Sequence, residues 1–362
     1  MLKRRSILRL GAGCALALVS PDLTYALKPG SREQDEETEA LLKELLFRRA
    51  VPMQEPWMEM HVVLAFGSEF KRNGKNLLDD LVARILRTET VEMRQYPYFP
   101  LDVERHPFHM LQVMQAAGVP YDRAFVTPQG RFTRRELVDS STAILKQNEI
   151  YDELSWVVSV LCNEFPPDKD RFETVWGEEV VVSDIVGRHL KETEAAYADV
   201  FAVMKGGKLY GKGALHARAC NGLHLLYGLI EAIRFGYRAD DLQSRVERLV
   251  EATLFRARLE PLLIDRGMPG TDQAVRLNRD AAKFTFFGHL IEVLGYVHRY
   301  SVLEFGSGLT GVMAKLRGEL ATLTVKLTTG YDLGQLQKHV PQAYKLVLGD
   351  ACHAYRGIRF WT

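Results

Sequence analysis

Residues 213–236 read GALHARACNGLHLLYGLIEAIRFG, an apolar stretch that carries His216, Cys220 and His224 at intervals of four. Side chains four residues apart lie on one face of an α-helix. The stretch lies past the middle of the chain, between two charged segments with helical periodicity. We therefore expect it to be an inner helix of a helical array, facing a shared cavity.

The other helical segments alternate in character along the chain. Charged, amphipathic helices are predicted at 76–93, 133–146, 183–204, 240–260 and 309–327. Segments that are apolar on all sides lie at 57–71, 107–118, 153–165, 213–236 and 281–300. Because a helix that is apolar on all sides is buried, the alternation predicts two concentric layers of helices.

The predicted fold is all-α, with almost no strand, and forms an α/α toroid-like array of about six helical hairpins. In architecture this pattern resembles the α/α toroids of lanthionine cyclases and of many polysaccharide-processing enzymes, although no motif of either group is present. We expect a short strand at 175–184 and a loop at 261–272. A last helix at 333–348 should bend near Pro341, with an aromatic tail docked on the body.

The composition is that of a globular protein, with 362 residues, 47% hydrophobic residues, 26% charged residues and a net charge of +1. This charge balance gives no reason to expect a nucleic-acid partner. After the N-terminus, no stretch reaches the roughly 18 uncharged apolar residues that a membrane span needs. We therefore predict a single helical domain over 27–362 with no span in the mature chain.

The N-terminal segment 1–26 has the plan of a secretory signal, with a basic start, an apolar stretch and Ala26 at its end. Its sequence KRRSILR at 3–9 resembles the twin-arginine translocation motif. It departs from that motif at Lys3, where Ser or Thr is usual, and at Ile7, where Phe is commonest. The resemblance implies export in a folded state, to the periplasm or outside the cell, with cleavage after Ala26.

Two alternatives to cleavage stay open, since the segment can remain as an anchor or be lipidated at Cys14, which follows Gly11-Ala12-Gly13. The mature chain keeps Cys162, Cys220 and Cys352. An odd number of cysteines excludes a disulfide scaffold, so we interpret them as buried thiols.

Four histidines occur at comparable places on the apolar segments. His61, His109, His224 and His289 each lie toward the start of the predicted helix that carries them. If the inner helices run in one direction, the four gather at one end of the barrel, where helix N-termini also favour anions. Glu292 follows His289 at i+3 on the same face, which suits acid–base chemistry. The predicted catalytic residues are therefore His224, His289 and Glu292, with His109 and His61.

The candidate metal ligands are His216, Cys220 and His224, because residues at i and i+4 can share an ion. All three span about 12 Å on a straight helix, too far for one ion. A break at Asn221-Gly222 would leave His224 on the inner helix and His216 in a loop. Near the C-terminus, Cys352-His353 offers either further ligands or a packed tail.

Three functions are compatible with this pattern. The first is an enzyme with a histidine-lined cavity, a hydrolase or lyase that acts on glycan or cell-wall material or on a small-molecule ligand. The second is a binding or scaffold protein whose histidines are structural. The third is a transition-metal protein. The motifs HExxH, GxSxG and CxxC are absent from the sequence, so it does not specify a reaction or a cofactor.

Overall fold

The computed structural model describes residues 30–150, 154–208, 214–303 and 308–361, and the predicted signal segment with Cys14 lies outside them. The described chain is mostly helical, as predicted. The helices are α1 (Arg32–Arg49), α2 (Pro56–Phe66), α3 (Leu77–Ile85), α4 (Leu101–Glu104), α5 (His109–Ala116), α6 (Arg134–Ala143), α7 (Leu154–Glu164), α8 (Val182–Ala196), α9 (Ala198–Met204), α10 (Leu223–Arg234), α11 (Leu242–Gly267), α12 (Gln273–Arg299), α13 (Gly308–Thr329), α14 (Leu333–His339) and α15 (Pro341–Arg359).

Six helices are buried along most of their length or over one long segment. They are α2, α5, α7, α10, α12 and α15. The first five coincide with the segments that are apolar on all sides, and α15 extends the predicted last helix into the aromatic tail. Among the described residues, none of the helices combines the length and apolarity that crossing a bilayer requires.

The buried helices contact one another in chain order. Helix α2 packs on α5, α5 on α7, α7 on α10, α10 on α12 and α12 on α15, and α15 packs back on α2. The amphipathic helices pack on one or two of them: α3 on α2, α8 on α7 and α10, α11 on α10 and α12, and α13 on α12. Helix α1 packs on α13 and α15, so the first and last described helices are in contact.

Short antiparallel hairpins connect several helices. Their strands are β1 (Lys71–Arg72) with β2 (Lys75–Asn76), β3 (Arg87–Val91) with β4 (Arg94–Tyr98), β5 (Ala124–Thr127) with β6 (Gly130–Thr133), and β7 (Arg171–Glu173) with β8 (Glu179–Val181). The expected strand at 175–184 overlaps β8. The predicted helix over 76–93 is wrong beyond Ile85, because Thr88, Thr90 and Val91 favour the extended strand that follows. Glu92 and Met93 close that hairpin in left-handed conformations (φ 48° and 66°).

The C-terminal third is more helical than predicted. The expected loop at 261–272 is wrong up to Gly267, because α11 continues through the buried Pro261. Pro341 begins a separate helix rather than bending one, since a proline in the first turn sacrifices no helical hydrogen bond. The tail predicted after 348 is therefore the second half of α15.

Two glycines allow the buried helices to approach closely. A methyl group at Gly357 on α15 would lie 2.7 Å from the backbone nitrogen of Glu292 on α12. A methyl group at Gly228 on α10 would lie 2.8 Å from the carbonyl oxygen of Ser155 on α7. Glycine inside a helix costs roughly 0.5–1 kcal/mol relative to alanine, and these contacts explain its presence.

The Gly357→Ala variant should lose about 2 kcal/mol of unfolding free energy, because the added methyl group forces two backbones apart. The matched control is Gly311→Ala in the exposed face of α13, where no atom lies within 4 Å of the added group. The control should gain about 0.5 kcal/mol from its higher helix propensity. Chemical denaturation measures both, and a Gly357→Ala protein as stable as the control would contradict this packing.

Candidate functional site

The structure brings together the four histidines that the sequence singled out. The ring centroids of His61 and His109 are 5.7 Å apart, and those of His224 and His289 are 4.8 Å apart. His353 joins the two pairs, with its ring 5.1 Å from His61 and 4.0 Å from His289. The catalytic assignment of these residues stays a prediction, whereas their convergence is a property of the fold.

These five histidines come from five different buried helices. The sixth buried helix, α7, contributes Trp156. His109 and His224 occupy the first turns of α5 and α10, as predicted. The predicted position near the start of the helix is wrong for His289, because α12 begins at Gln273 rather than at 281. It is also wrong for His61, which lies in the middle of α2. We define the histidine cluster as His61, His106, His109, His224, His289 and His353.

Trp156 and His106 complete the wall of the cluster. The Trp156 ring stacks on His109 at 5.4 Å and lies 4.5 Å from His224. His106, from the segment before α5, lies 5.5 Å from His109. His106 and His224 are partly exposed, as is Cys220, whereas the other four imidazoles are buried. Both ring nitrogens of His224 and the Nδ1 atom of His106 are nevertheless buried.

Burial keeps most of the imidazoles neutral. It lowers the pKa of His61, His109, His224 and His353 well below its ordinary value, and the neighbouring imidazoles lower this pKa further. Burial also opposes a charge on His289, but Cys220 and Asp350 beside that ring raise its pKa well above the ordinary value. A neutral imidazole offers a lone pair, which acid–base catalysis and metal binding both require.

Four imidazoles have one ring nitrogen bonded to an oxygen. His61 Nδ1 donates to the carbonyl of Trp57 at 2.6 Å, and His109 Nδ1 donates to the carbonyl of Glu104 at 3.2 Å. Carboxylates serve the other two: His353 Nδ1 lies 2.6 Å from Glu292 Oε2, and His289 Nε2 lies 3.1 Å from Asp350 Oδ1. Metal-binding histidines almost always donate their second nitrogen in this way, which fixes the ring and directs the lone pair of the other nitrogen.

His224 differs from the others because neither of its ring nitrogens has a hydrogen-bond partner among the described residues. Its ligand atom, with those of Cys220 and His289, forms a set whose members all lie within 4.8 Å of one another. His289, Glu292 and His353 form a second such set. These sets share His289, so the described residues offer one contiguous group of nitrogen, sulfur and oxygen donors.

The third candidate ligand from the sequence, His216, lies elsewhere. Its Nε2 atom is 2.7 Å from Glu260 Oε1, in a network that also contains Arg256. The helix expected from 213 begins at Leu223, and short 3-10 turns at Ala214–Ala217 and Ala219–Gly222 precede it. The break anticipated at Asn221-Gly222 is therefore present and separates His216 from His224.

That break is a strained turn that carries Cys220 into the cluster. Cys220, Asn221 and Gly222 follow one another with φ of 48°, 56° and 76°. A left-handed backbone costs a residue with a Cβ roughly 1–2 kcal/mol, and such strain persists where surrounding contacts impose it, often at functional sites. The turn places the thiol beside His289, with which it interacts.

The sequence analysis missed Asp350 and Arg356 on α15, and it named their neighbour His353 only as a possible further ligand. Asp350, His353 and Arg356 follow one another at intervals of three, on one buried face. Arg356 Nη1 bonds to Glu292 Oε1 at 2.7 Å, so one carboxylate bonds both His353 and Arg356. The spacing of three is typical of one helix face, and it becomes informative because this segment is a helix rather than a tail. Lys283, also on α12, pairs with Asp265 at 2.8 Å.

A cavity of about 150 Å³ lies beside the cluster rather than inside it. It is lined mainly by apolar side chains and by Glu104, whose carbonyl orients His109. Burial raises the pKa of the Glu104 carboxyl to about 8, and that carboxyl also accepts a bond from the backbone N–H of Met110 at 2.9 Å. We interpret Glu104 as a residue that fixes the start of α5.

Comparison of the chain with known protein families, curated proteins and solved structures gives no match. The functional argument therefore depends on the geometry of the described residues.

The Glu292→Gln variant should lose about 3 kcal/mol of unfolding free energy, because it leaves the buried Arg356 without its counter-charge. Glu36→Gln is the matched control, since Glu36 pairs with Arg32 at 3.1 Å on the exposed face of α1 and should change stability by less than about 0.5 kcal/mol. Denaturant titration of the two variants gives both values. Equal losses would show that the buried pair does not support the site.

Proposed function

We propose that this chain is an exported transition-metal protein whose centre consists of Cys220, His224 and His289. The observation that carries the proposal is the convergence of their three ligand atoms within 4.8 Å, with the second nitrogen of His289 held by Asp350. Imidazoles that share a tetrahedral or trigonal ion have ring centroids roughly 5 Å apart. The separation of 4.8 Å between His224 and His289 agrees with that value.

The donor set favours copper over zinc. One thiolate and two imidazoles in a trigonal arrangement are typical of copper sites, and copper also binds nitrogen and sulfur donors more tightly than zinc does. His353 lies close enough to His289 to act as a further ligand. Glu292 already bonds His353 and Arg356, so we assign it to the orientation of His353 rather than to the ion.

A metal-free enzyme is the second candidate. The pairs His353–Glu292 and His289–Asp350 are buried imidazole–carboxylate contacts that suit general acid–base catalysis. In this alternative His224, His289 and Glu292, with His109 and His61, act on a small molecule or a glycan in a hydrolase or lyase reaction. In a purely structural alternative, the cluster only stabilises a binding or scaffold protein.

The proposal also includes the arrangement of the helices and the cellular location of the protein. The closed order of contacts among the buried helices supports an α/α toroid, with the histidine cluster inside it. The KRRSILR sequence supports twin-arginine export to the periplasm or beyond. Export of a folded chain suits a metal centre, because the ion can be inserted before translocation.

Protein purified without chelators should contain about one equivalent of copper or zinc, the count expected for a single ligand set. The His289→Ala variant should lose this metal, because His289 belongs to both sets of donors. His216→Ala removes a histidine bonded to Glu260 and should retain it. Elemental analysis by mass spectrometry measures all three proteins.

Absence of stoichiometric metal in the wild-type protein, even after incubation with Cu²⁺ and with Zn²⁺, would overturn the proposal. Activity of such a protein on any substrate would then favour the metal-free enzyme. The Cys220→Ser variant distinguishes a copper protein from a zinc protein. The Cu²⁺ protein should lose a thiolate-to-copper absorption band, whereas a zinc protein has no such band to lose.

Replacement of both Arg4 and Arg5 by Lys should keep the chain in the cytoplasm, because the twin-arginine pathway requires the arginine pair. The matched control is Arg9→Lys, which changes an arginine outside that pair. Fractionation of a bacterial host that expresses each variant with a C-terminal tag gives the result. Normal export of the double variant would exclude this route.

A further inference from the structure

A row of four aromatic side chains leads from the histidine cluster to the protein surface. Trp156 lies 4.5 Å from His224 and 5.8 Å from Tyr227, between ring centroids. Tyr227 lies 5.0 Å from Tyr296, which lies 4.5 Å from Tyr300. Each step is within the range of direct aromatic contact.

The row crosses the protein from its interior to solvent. Trp156, Tyr227 and Tyr296 are 5%, 4% and 1% exposed, whereas Tyr300 is 39% exposed. Tyr296 lies in the last turn of α12, and Tyr300 follows the last residue of that helix. The guanidinium of Arg234 lies 3.8 Å from the Tyr300 ring centroid and also bonds to the Tyr296 hydroxyl.

A buried carboxylate lies between the two inner tyrosines. Glu231 is 1% exposed and interacts with the hydroxyls of both Tyr227 and Tyr296. Gln115 Nε2 donates to it at 3.3 Å. Burial raises the pKa of Glu231, which makes its carboxylate a stronger base.

Packing alone does not account for this arrangement. Phenylalanine would fill the positions of Tyr227 and Tyr296 without phenols that need partners, and Glu231 would then keep only Arg234 and Gln115 as hydrogen-bond partners among the described residues. Trp and Tyr are also the side chains that lose one electron most readily among the aromatic residues. A tyrosine that loses an electron must release its phenolic proton, and Glu231 is within reach of both phenols to accept it.

We propose that Trp156, Tyr227, Tyr296 and Tyr300 carry oxidising equivalents from the metal centre to the surface, one electron at a time. The inference rests on the proposed metal centre and adds a redox activity to it. The oxidant is hydrogen peroxide, and the final electron donor is a soluble one-electron reductant such as ascorbate.

The electrons and protons balance in each round. In each round Trp156 would give one electron to the oxidised centre and take one from Tyr227, while the Tyr227 proton passes to Glu231. Tyr296 then reduces Tyr227, which recovers its proton from Glu231, and Tyr296 gives its own proton to Glu231. Tyr300 reduces Tyr296, which recovers that proton, while Tyr300 loses a proton to solvent. The reductant then returns one electron, and solvent one proton, to Tyr300. Two rounds supply the two electrons that, with two protons, convert one peroxide to two waters.

The test uses the full mature chain loaded with Cu²⁺ and treated with hydrogen peroxide and a nitroso spin trap, without a reductant. Peptide mass spectrometry then locates the trapped radical. In the wild-type protein we expect the adduct on Tyr300. The Tyr296→Phe variant keeps the aromatic packing but should lose the Tyr300 adduct, with oxidation found on Trp156, His224 and His289 instead.

Tyr237→Phe is the matched control, because Tyr237 is also buried but donates to the carbonyl of Phe165, outside the row. This control should retain the Tyr300 adduct, and copper content verifies that each variant still holds the centre. An adduct that is absent from Tyr300 in the copper-loaded wild-type protein, or unchanged by Tyr296→Phe, would overturn the path while leaving the metal centre standing. Failure of the wild-type protein to bind copper would overturn both.

Discussion

The ion pair between Glu292 and Arg356 is the contact on which the site depends. Charges buried without a partner cost several kcal/mol, so the two helices that carry them are held to one register. The same carboxylate accepts the bond that orients His353, and the close approach at Gly357 lies directly beside it. Because α15 also packs on α2, the position of His353 relative to His61 follows from this pair.

Four imidazoles of the histidine cluster are hydrogen-bonded to an oxygen, and these oxygens are of two kinds. Backbone carbonyls serve His61 and His109, whereas carboxylates serve His289 and His353. A carbonyl only fixes a ring, but a carboxylate also supplies negative charge. That charge lies on the side where a cation would bind Cys220 and His289, and it would offset the cost of placing an ion inside a largely apolar interior.

The sequence predicted the helices because they depend on local periodicity. The histidines do gather, but two of the four early positions from which this was predicted, those of His61 and His289, are wrong. A helix that is apolar on all sides is buried even when it carries one histidine, and the buried helices pack against one another in the interior. The sequence gives no sign of the hairpin at 87–98, because its turn uses Glu92 and Met93, which are not typical turn residues. It also does not show that Pro341 begins a new helix, because a proline can either bend a helix or begin one. Contacts such as Glu292–Arg356 join distant segments, and periodicity carries no information about which helix meets which.

Because α15 packs back on α2, the histidine cluster joins residues from both ends of the described chain. His61 is among the first described residues to be made, and Asp350, His353 and Arg356 are among the last. These contacts join residues far apart in sequence, so they cannot form until the final helix has been made. An ion that needs His289 together with its Asp350 partner would therefore bind only chains whose last helix is in place.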